Sequence, residues 1–356
     1  MNKCTAFFLI LLRLAIGWHF LAEGYHKLEG YWHGPTETVV GKSKPFSSAG
    51  YFREGTGPLA QLIRKEVGDP DKEALALLIP ADVESPNAPP HSRTPPLLHQ
   101  EWTDYVRRFS DHYSLDDEQR LKAVAALMKA EDAAVGWLTR KEVDEKNFKA
   151  KTQEGRLPTP TRLAMYKDKL AELTESKHSL LVSMGSDAES LRLHDVKADA
   201  VRLRVGLLND LDAYTQDLRK ELEKIPTAEQ KTAAEKKESE SKIKPPQPEP
   251  PANRMQKWID LATMYGLTVL GACLVLGLFS RTSALLSAGF LLTTYLCFPP
   301  FPWLPAAPNN EGYYLFVNKN LIEMLALLAL ATTASGRWFG LDALIHAIFF
   351  GRRRPA

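Results

Sequence analysis

Apolar positions cluster at the two ends of this chain, and the stretch between them is charged and punctuated by proline. Residues 5–26, 258–280, 283–299 and 319–335 each read as a membrane-spanning helix, whereas residues 30–257 do not. A hydrocarbon core about 30 Å thick needs roughly 20 helical residues. Residues 258–280 meet that length, with Trp258 and Tyr265 toward one end. The next two stretches sit near the lower limit, at roughly 17 residues each. Ser280–Arg281–Thr282–Ser283 reads as a tight turn, so the second and third segments should form an antiparallel hairpin. Pro299, Pro300, Pro302, Pro305 and Pro308 end the third segment, and the loop they begin carries Phe298, Phe301, Trp303, Tyr313, Tyr314 and Phe316. That is the composition of an interfacial aromatic belt.

The polar stretch shows helical periodicity. One stripe runs through Leu163, Tyr166, Leu170, Leu173 and Leu180, and another through Val201, Val205, Leu208, Leu211, Thr215, Leu218, Leu222 and Ile225. Leu121, Val124, Met128, Val135 and Leu138 make a third, interrupted at Glu131. Such stripes predict helices packed as a bundle or antiparallel coiled coil. Trp102, Tyr105, Phe109 and Tyr113 share helical spacing and read as core. Residues 80–96 form a Pro-rich irregular stretch, and 227–257 are Lys/Glu-rich and then Pro-rich, the composition of a flexible tether. The predicted fold is all-α: a four-helix transmembrane bundle with a large extramembranous helical insert. Its parts are a first transmembrane helix at 1–29, an insert at 30–226, a linker at 227–257, helices two to four at 258–335, and an amphipathic helix with a basic tail at 336–356.

Lys and Arg near helix ends set orientation. Arg352, Arg353 and Arg354, with Arg337, Arg281 and Lys3, place both termini in the cytoplasm and the insert outside a bacterial inner membrane. Lys27, Arg254, Lys257 and Lys319 fall on the other side, but most of these flank the long insert, and long loops translocate largely regardless of charge. Arg13 interrupts the apolar run that would form a signal-peptide core, so the first segment is expected to remain as a helix.

A formal charge of +2 gives no reason to expect nucleic acid as a partner. The three cysteines, Cys4, Cys273 and Cys297, lie in or beside apolar segments and form no metal or haem spacing. There is no P-loop, dinucleotide fingerprint, GxSxG or HExxH, and Gly55-Thr56-Gly57 reads as a turn. No cofactor is evident and no metal is expected, while a quinone is compatible with the intramembrane charges.

Those charges are the candidate chemistry. The first segment carries Arg13, His19, Glu23, His26 and Lys27. His19 and Glu23 share a helix face, as do Glu23 and Lys27. Glu323, with Asn320 on a neighbouring position, should lie near their depth in the fourth segment. Ionisable groups within a span are costly and usually face the bundle interior or a water path. Arg13, His19, Glu23, Lys27, Asn320 and Glu323 therefore form a candidate polar intramembrane site, with no catalytic role assigned. Two readings are open: polar glue between helices, or a His–carboxylate site that takes protons from a quinol.

Arg13-Leu-Ala-Ile-Gly17 through Glu23-Gly24-Tyr-His-Lys27-Leu28, Leu276-Gly-Leu-Phe-Ser-Arg281, and Asn320-Leu-Ile-Glu323 through Gly336-Arg337-Trp338-Phe-Gly340-Leu-Asp342 resemble, in order and spacing, the helices of the DoxX/DoxD membrane family. The resemblance covers roughly the first 30 and last 100 residues and leaves the insert unmatched. It implies a four-helix membrane protein, and for some members a subunit of a thiosulfate:quinone oxidoreductase. It singles out Arg13, Glu23, Lys27, Arg281 and Glu323. Expected partners are the lipid bilayer and a redox partner subunit or a second copy. The alternative is a non-catalytic membrane scaffold whose external helical domain binds a partner protein.

Overall fold

The structure, a computed structural model, describes residues 2–32, 37–38, 41–42, 46–81, 89–140, 157–178, 187–241, 246, 254–305 and 316–350. Apart from a two-residue antiparallel pair, Glu37–Thr38 with Gly41–Lys42, the regular structure among them is helical. The α-helices are α1 (Lys3–Trp32), α2 (Ala49–Glu54), α3 (Pro58–Val67), α4 (Pro70–Leu78), α5 (Pro96–His112), α6 (Asp117–Thr139) and α7 (Thr159–His178). They continue with α8 (Asp187–Leu222), α9 (Ala228–Ser241), α10 (Arg254–Leu276), α11 (Ser280–Cys297), α12 (Lys319–Ala331), α13 (Ser335–Trp338) and α14 (Leu341–Phe350). The chain divides into two compact units, one of 1–68, 180–194 and 252–356, the other of 69–179 and 195–251.

In the first unit α1 runs antiparallel to α10. Gly17 faces Leu274 and Val275, while Gly24 faces Thr268 and Gly271 faces Leu21. A Cβ on Gly17 would stand 2.9 Å from the Leu274 Cβ and the Val275 amide nitrogen, and one on Gly24 or Gly271 would overlap backbone outright. Small residues here let the two backbones touch, as in close-packed membrane helix pairs. Gly277 (φ 64°) and Phe279 (φ 46°) turn the chain left-handed into α11, which packs along α12, and α12 also meets α1. The four helices enclose Ile16, Phe20, Leu267, Leu274, Leu291 and Leu327. Outside, large apolar side chains such as Trp18, Val269, Leu286 and Leu325 remain exposed.

Two of the four expected spans, α1 and α10, are long and apolar enough to cross a membrane. The stretch 319–335 does not stay one helix. The Thr332 and Thr333 hydroxyls donate to the Ala329 and Leu330 carbonyls at 2.7 Å each, and α12 stops at 13 residues, about 20 Å at 1.5 Å per residue.

Residues 46–68, expected within the insert, belong instead to the unit that holds α1. Gly57 N–H donates to the Cys297 carbonyl at 2.9 Å, a Cβ on Gly57 would overlap the Leu296 carbonyl, and Phe52 and Ala60 pack on Cys297 and Phe298. The glycines that read as a turn thus allow a backbone-to-backbone approach at the end of α11.

The second unit starts with Asp69, which caps α4 by accepting from the Asp71 and Lys72 amides. Its core joins Leu98, Trp102, Tyr105 and Phe109 of α5 to Leu163 and Tyr166 of α7 and Leu203, Leu207, Leu211 and Leu218 of α8. Trp102 Nε1 donates to Thr215 Oγ1 at 3.2 Å. Leu180 of the α7 stripe lies outside the described residues, and Val205 of the α8 stripe is exposed.

α6 departs from expectation. Its buried face is Ala123, Leu127, Glu131, Ala134 and Leu138, while Leu121, Val124 and Met128 are exposed. The small Ala123 and Ala134 permit close packing, and the position that seemed to interrupt the stripe is on the buried side. The expected tether also departs, since its first part is helical. Thr227 and Gln230 exchange backbone and side-chain bonds at the start of α9, as Asp116 and Gln119 do at the start of α6. The Gln119 and Gln230 side-chain amides then bond each other reciprocally at 2.9 and 2.8 Å. Each box satisfies donors that a helix start leaves orphaned, so a polar sequence can hold a helix here. Of the Pro-rich remainder at 242–253 only Pro246 is described.

Candidate functional site

The charged residues of α1 fall at three levels. Arg13 is about 9 Å along the helix axis from His19 and 15 Å from Glu23, at 1.5 Å per residue. The structure accordingly separates the six candidate residues.

Arg13 is 1 % exposed. Its Nη2 donates to the Phe339 carbonyl at 2.6 Å, and its guanidinium lies against Gly277, where a Cβ would stand 2.8 Å from Nη1. Its Nε and Nη1 have no partner among the described residues. Beside this contact, Asp342 accepts from the Phe279 amide at 2.7 Å, the Ser280 amide at 2.9 Å and the Ser280 hydroxyl at 2.7 Å. Asp342 N–H in turn donates to the Gly277 carbonyl at 2.9 Å. The Asp342 carboxylate thus closes the N-terminus of α11, where free amides and the helix dipole favour negative charge. Arg281 Nε donates to the Thr333 carbonyl at 2.8 Å. A Cβ on Gly336 would overlap Ser280 Oγ and the Asp342 carboxylate. Arg13, Gly277–Arg281 and Gly336–Asp342, far apart in sequence, meet in one knot that ties α1, the α10–α11 turn and α13–α14 together.

The second level carries the pair with chemical potential. His19 Nδ1 stands 3.0 Å from Glu323 Oε1, joining α1 to α12. The carboxylate side chain is 17 % exposed and the imidazole 56 %. α1 packs chiefly along α10, and α12 along α11, so His19–Glu323 bridges the seam between two antiparallel pairs. In the tautomer that donates from Nδ1, Nε2 remains an acceptor on the exposed side of the ring. Asn320 lies one turn before Glu323 and is half-buried.

At the third level Glu23 and Lys27 form an ion pair within α1, and Lys27 Nζ sits 5.5 Å from the centre of the Phe46 ring. His26 is exposed.

A fourth cluster lies outside the six candidate residues. Asp260 of α10 is buried and accepts from the Ser48 amide at 2.7 Å, the Ser48 hydroxyl at 2.5 Å, the Ser47 hydroxyl at 3.2 Å and Gln256 Nε2 at 2.8 Å. The carboxylate pins the returning chain before α2 to the start of α10. Its signal was present: an aspartate inside a stretch read as a span is an unexplained charge that calls for partners.

The three cysteines are free thiols. Among the described residues no group of three or more His, Cys, Asp or Glu is placed to hold a metal ion. No protein-family model, curated protein or solved structure matches this chain.

Proposed function

We propose that this chain is a multi-pass protein of the bacterial inner membrane, of the DoxX/DoxD type, and that its four-helix core is the membrane subunit of a quinone-linked redox system. In this reading all four helices of the ring lie in the bilayer, both termini are cytoplasmic, and the second unit stands outside. The observation that carries the reading is the His19–Glu323 pair, a histidine and a carboxylate 3.0 Å apart on two helices whose outer faces are apolar. Ionisable groups within a span are costly and commonly line proton or ion paths, and the pair supports the reading on that ground. A lipid-borne quinol gives up two protons and two electrons when oxidised. His19 offers a basic nitrogen on the lipid side of the seam, and Glu323 behind it steadies the imidazolium that results. His19 takes one proton, the second passes to water at the outer interface, and the two electrons leave to a redox centre held by a partner subunit.

The test is Glu323→Gln, which keeps shape and hydrogen bonding and removes the charge. In inverted vesicles the variant should insert and melt like the parent yet lose quinone-dependent electron transfer. Full retained activity would end the redox reading. A lowered melting temperature with activity intact would leave the pair as helix glue. A second reading, a scaffold whose external domain binds a partner protein, draws on the exposed apolar row of α6.

A further inference from the structure

We propose that the rim of the first unit where α1 begins and α10 ends binds the headgroup of an anionic phospholipid. Arg281 and Arg337 hold its phosphate, and Phe279 and Phe339 sit among the acyl chains. The proposal rests on the membrane part of the reading above, not on the His19–Glu323 pair, and names the lipid that the cytoplasmic rim prefers.

Two aromatic side chains mark this rim. Phe279 is 62 % exposed and Phe339 64 %. Phe279 is also held at φ 46° and ψ 41°, a left-handed backbone that a bulky residue adopts only at a cost. The fold bears that cost without burying the ring, so the ring's contact lies outside the chain. The short helix α14 repeats the pattern. Its start is tied down, since Asp342 N–H donates to the Gly277 carbonyl. Yet Leu341, Leu344 and Ile348, at i, i+3 and i+7 on one face, are exposed. A helix anchored at one end with an uncovered apolar stripe is suited to lie in a membrane interface.

What covers this surface follows from its extent. Large apolar side chains are exposed on each of the four helices: Trp18 on α1, Val269 on α10, Leu286 on α11 and Leu325 on α12. A partner protein covers one side of a molecule, whereas an apolar girdle on every helix is met by lipid.

The arginines decide which lipid. Arg281 Nε is held by the Thr333 carbonyl at 2.8 Å. The guanidinium fork is thereby positioned, while its Nη groups meet no acceptor among the described residues. Arg337 is exposed and has no ion pair or side-chain hydrogen bond among them. The two arginines leave adjoining backbone, since a Cβ on Gly336 would overlap Ser280 Oγ. The Asp342 carboxylate is taken up by the Phe279 and Ser280 donors and does not neutralise them. Guanidinium forks match phosphate oxygens in pairs. A zwitterionic headgroup would bring its own ammonium against the two cations, so an anionic one is favoured.

The experiment titrates the full-length protein in mild detergent with dioctanoyl phosphatidylglycerol and follows the melting temperature by circular dichroism. The temperature should rise saturably with this lipid, and not with dioctanoyl phosphatidylcholine or inorganic phosphate. Arg337→Gln breaks no bond among the described residues and should weaken the apparent affinity about fivefold, the usual worth of one such charge at an anionic surface. Arg281→Gln/Arg337→Gln should weaken it at least about tenfold. Phe279→Gly should bind the lipid more weakly yet melt no lower than the parent without lipid, because glycine takes the left-handed backbone freely. Equal stabilisation by phosphatidylcholine, an equal effect of inorganic phosphate, or a double variant that binds like the parent would overturn the proposal. The membrane reading fails separately. A protein that does not enter phosphatidylcholine vesicles would refute that reading and the proposal with it. One that enters them without preferring phosphatidylglycerol would refute the headgroup site alone. Glu323→Gln, toward the other end of α12, should respond to phosphatidylglycerol like the parent.

Discussion

Replacing Glu131 with leucine should stabilise the second unit at neutral pH. Glu131 is 2 % exposed and occupies the buried face of α6 between Leu127 and Ala134. Its Oε1 is 2.6 Å from His99 Nδ1. Burial pushes its carboxyl above the usual carboxylate range, and the bond and charge of His99 offset this only in part. The folded-state value is therefore raised. The associated stability is complete below the unfolded value, about pH 4.3, and is lost as pH rises through the folded value. At pH 7 the unit holds a poorly hydrated carboxylate whose partner is half in water. Replacing both members of a buried ion pair by apolar packing ranges from neutral to about 4 kcal/mol stabilising, and although only Glu131 is replaced here, the His99 left behind is more than half exposed and regains water. Leucine burial contributes about 1.5–3 kcal/mol, and loss of a charged hydrogen bond costs about 1.5–3 kcal/mol. With the carboxylate's desolvation penalty also relieved, the net gain should be roughly 1–2 kcal/mol. At about 2–4 °C per kcal/mol for a domain of this size, the melting temperature should rise by roughly 2–8 °C. Thermal unfolding of the full-length protein in detergent, followed by circular dichroism from pH 5 to 8, measures this. The gap between variant and parent should narrow toward pH 5, as the parent takes up its proton. A variant less stable than the parent at pH 7, or a gap independent of pH, would refute the reasoning.

Two further substitutions probe the first unit. Gly271→Leu drives a side chain into the Leu21 backbone and should destabilise the unit by the roughly 1–3 kcal/mol typical of overpacking, read as a lower melting temperature in detergent. Gly266 on the same helix has open space around it, so Gly266→Ala should be neutral or stabilising by up to about 1 kcal/mol. Asp342→Ala removes the carboxylate that closes α11 and should cost about 1–2 kcal/mol, as lost helix caps do. Amide hydrogen exchange at Phe279 and Ser280 should quicken with it.

The helical class and the hairpin between α10 and α11 were legible from the apolar runs, although the turn falls at Gly277–Phe279 and the Ser280–Ser283 stretch that read as the turn is the first turn of α11. The closeness of His19 and Glu323 was legible too, from counting turns along two helices. What was not legible depends on contacts remote in sequence. Arg13 read as one of the intramembrane site charges, but its acceptor is the Phe339 carbonyl, remote from His19 and Glu323. Gly55-Thr56-Gly57 acquires its meaning only from the Cys297 carbonyl. On α6, large apolar residues drew attention to Leu121, Val124 and Met128, whereas alanines decide which face can pack closely. The start of α9 was misread for a different reason. Lys/Glu-rich composition suggests disorder, yet the Thr227-x-x-Gln230 spacing of a capping box was in plain view.

The bond from Arg13 to Phe339 joins positions 326 residues apart, and this sets an order of events at the ribosome. At about 5–20 residues per second, roughly 16–65 s separate the appearance of the guanidinium from that of its acceptor. The glycine-lined face of α1 waits nearly as long for α10, since the whole second unit is translated in between. A lone helix carrying an unsatisfied arginine is held in a bilayer at a cost of at least about 2.5 kcal/mol. Under the proposed membrane reading α1 therefore passes its first tens of seconds in need of a temporary companion, such as an insertase groove. A nascent chain arrested before residue 339 should crosslink there through positions on α1 that the finished protein conceals.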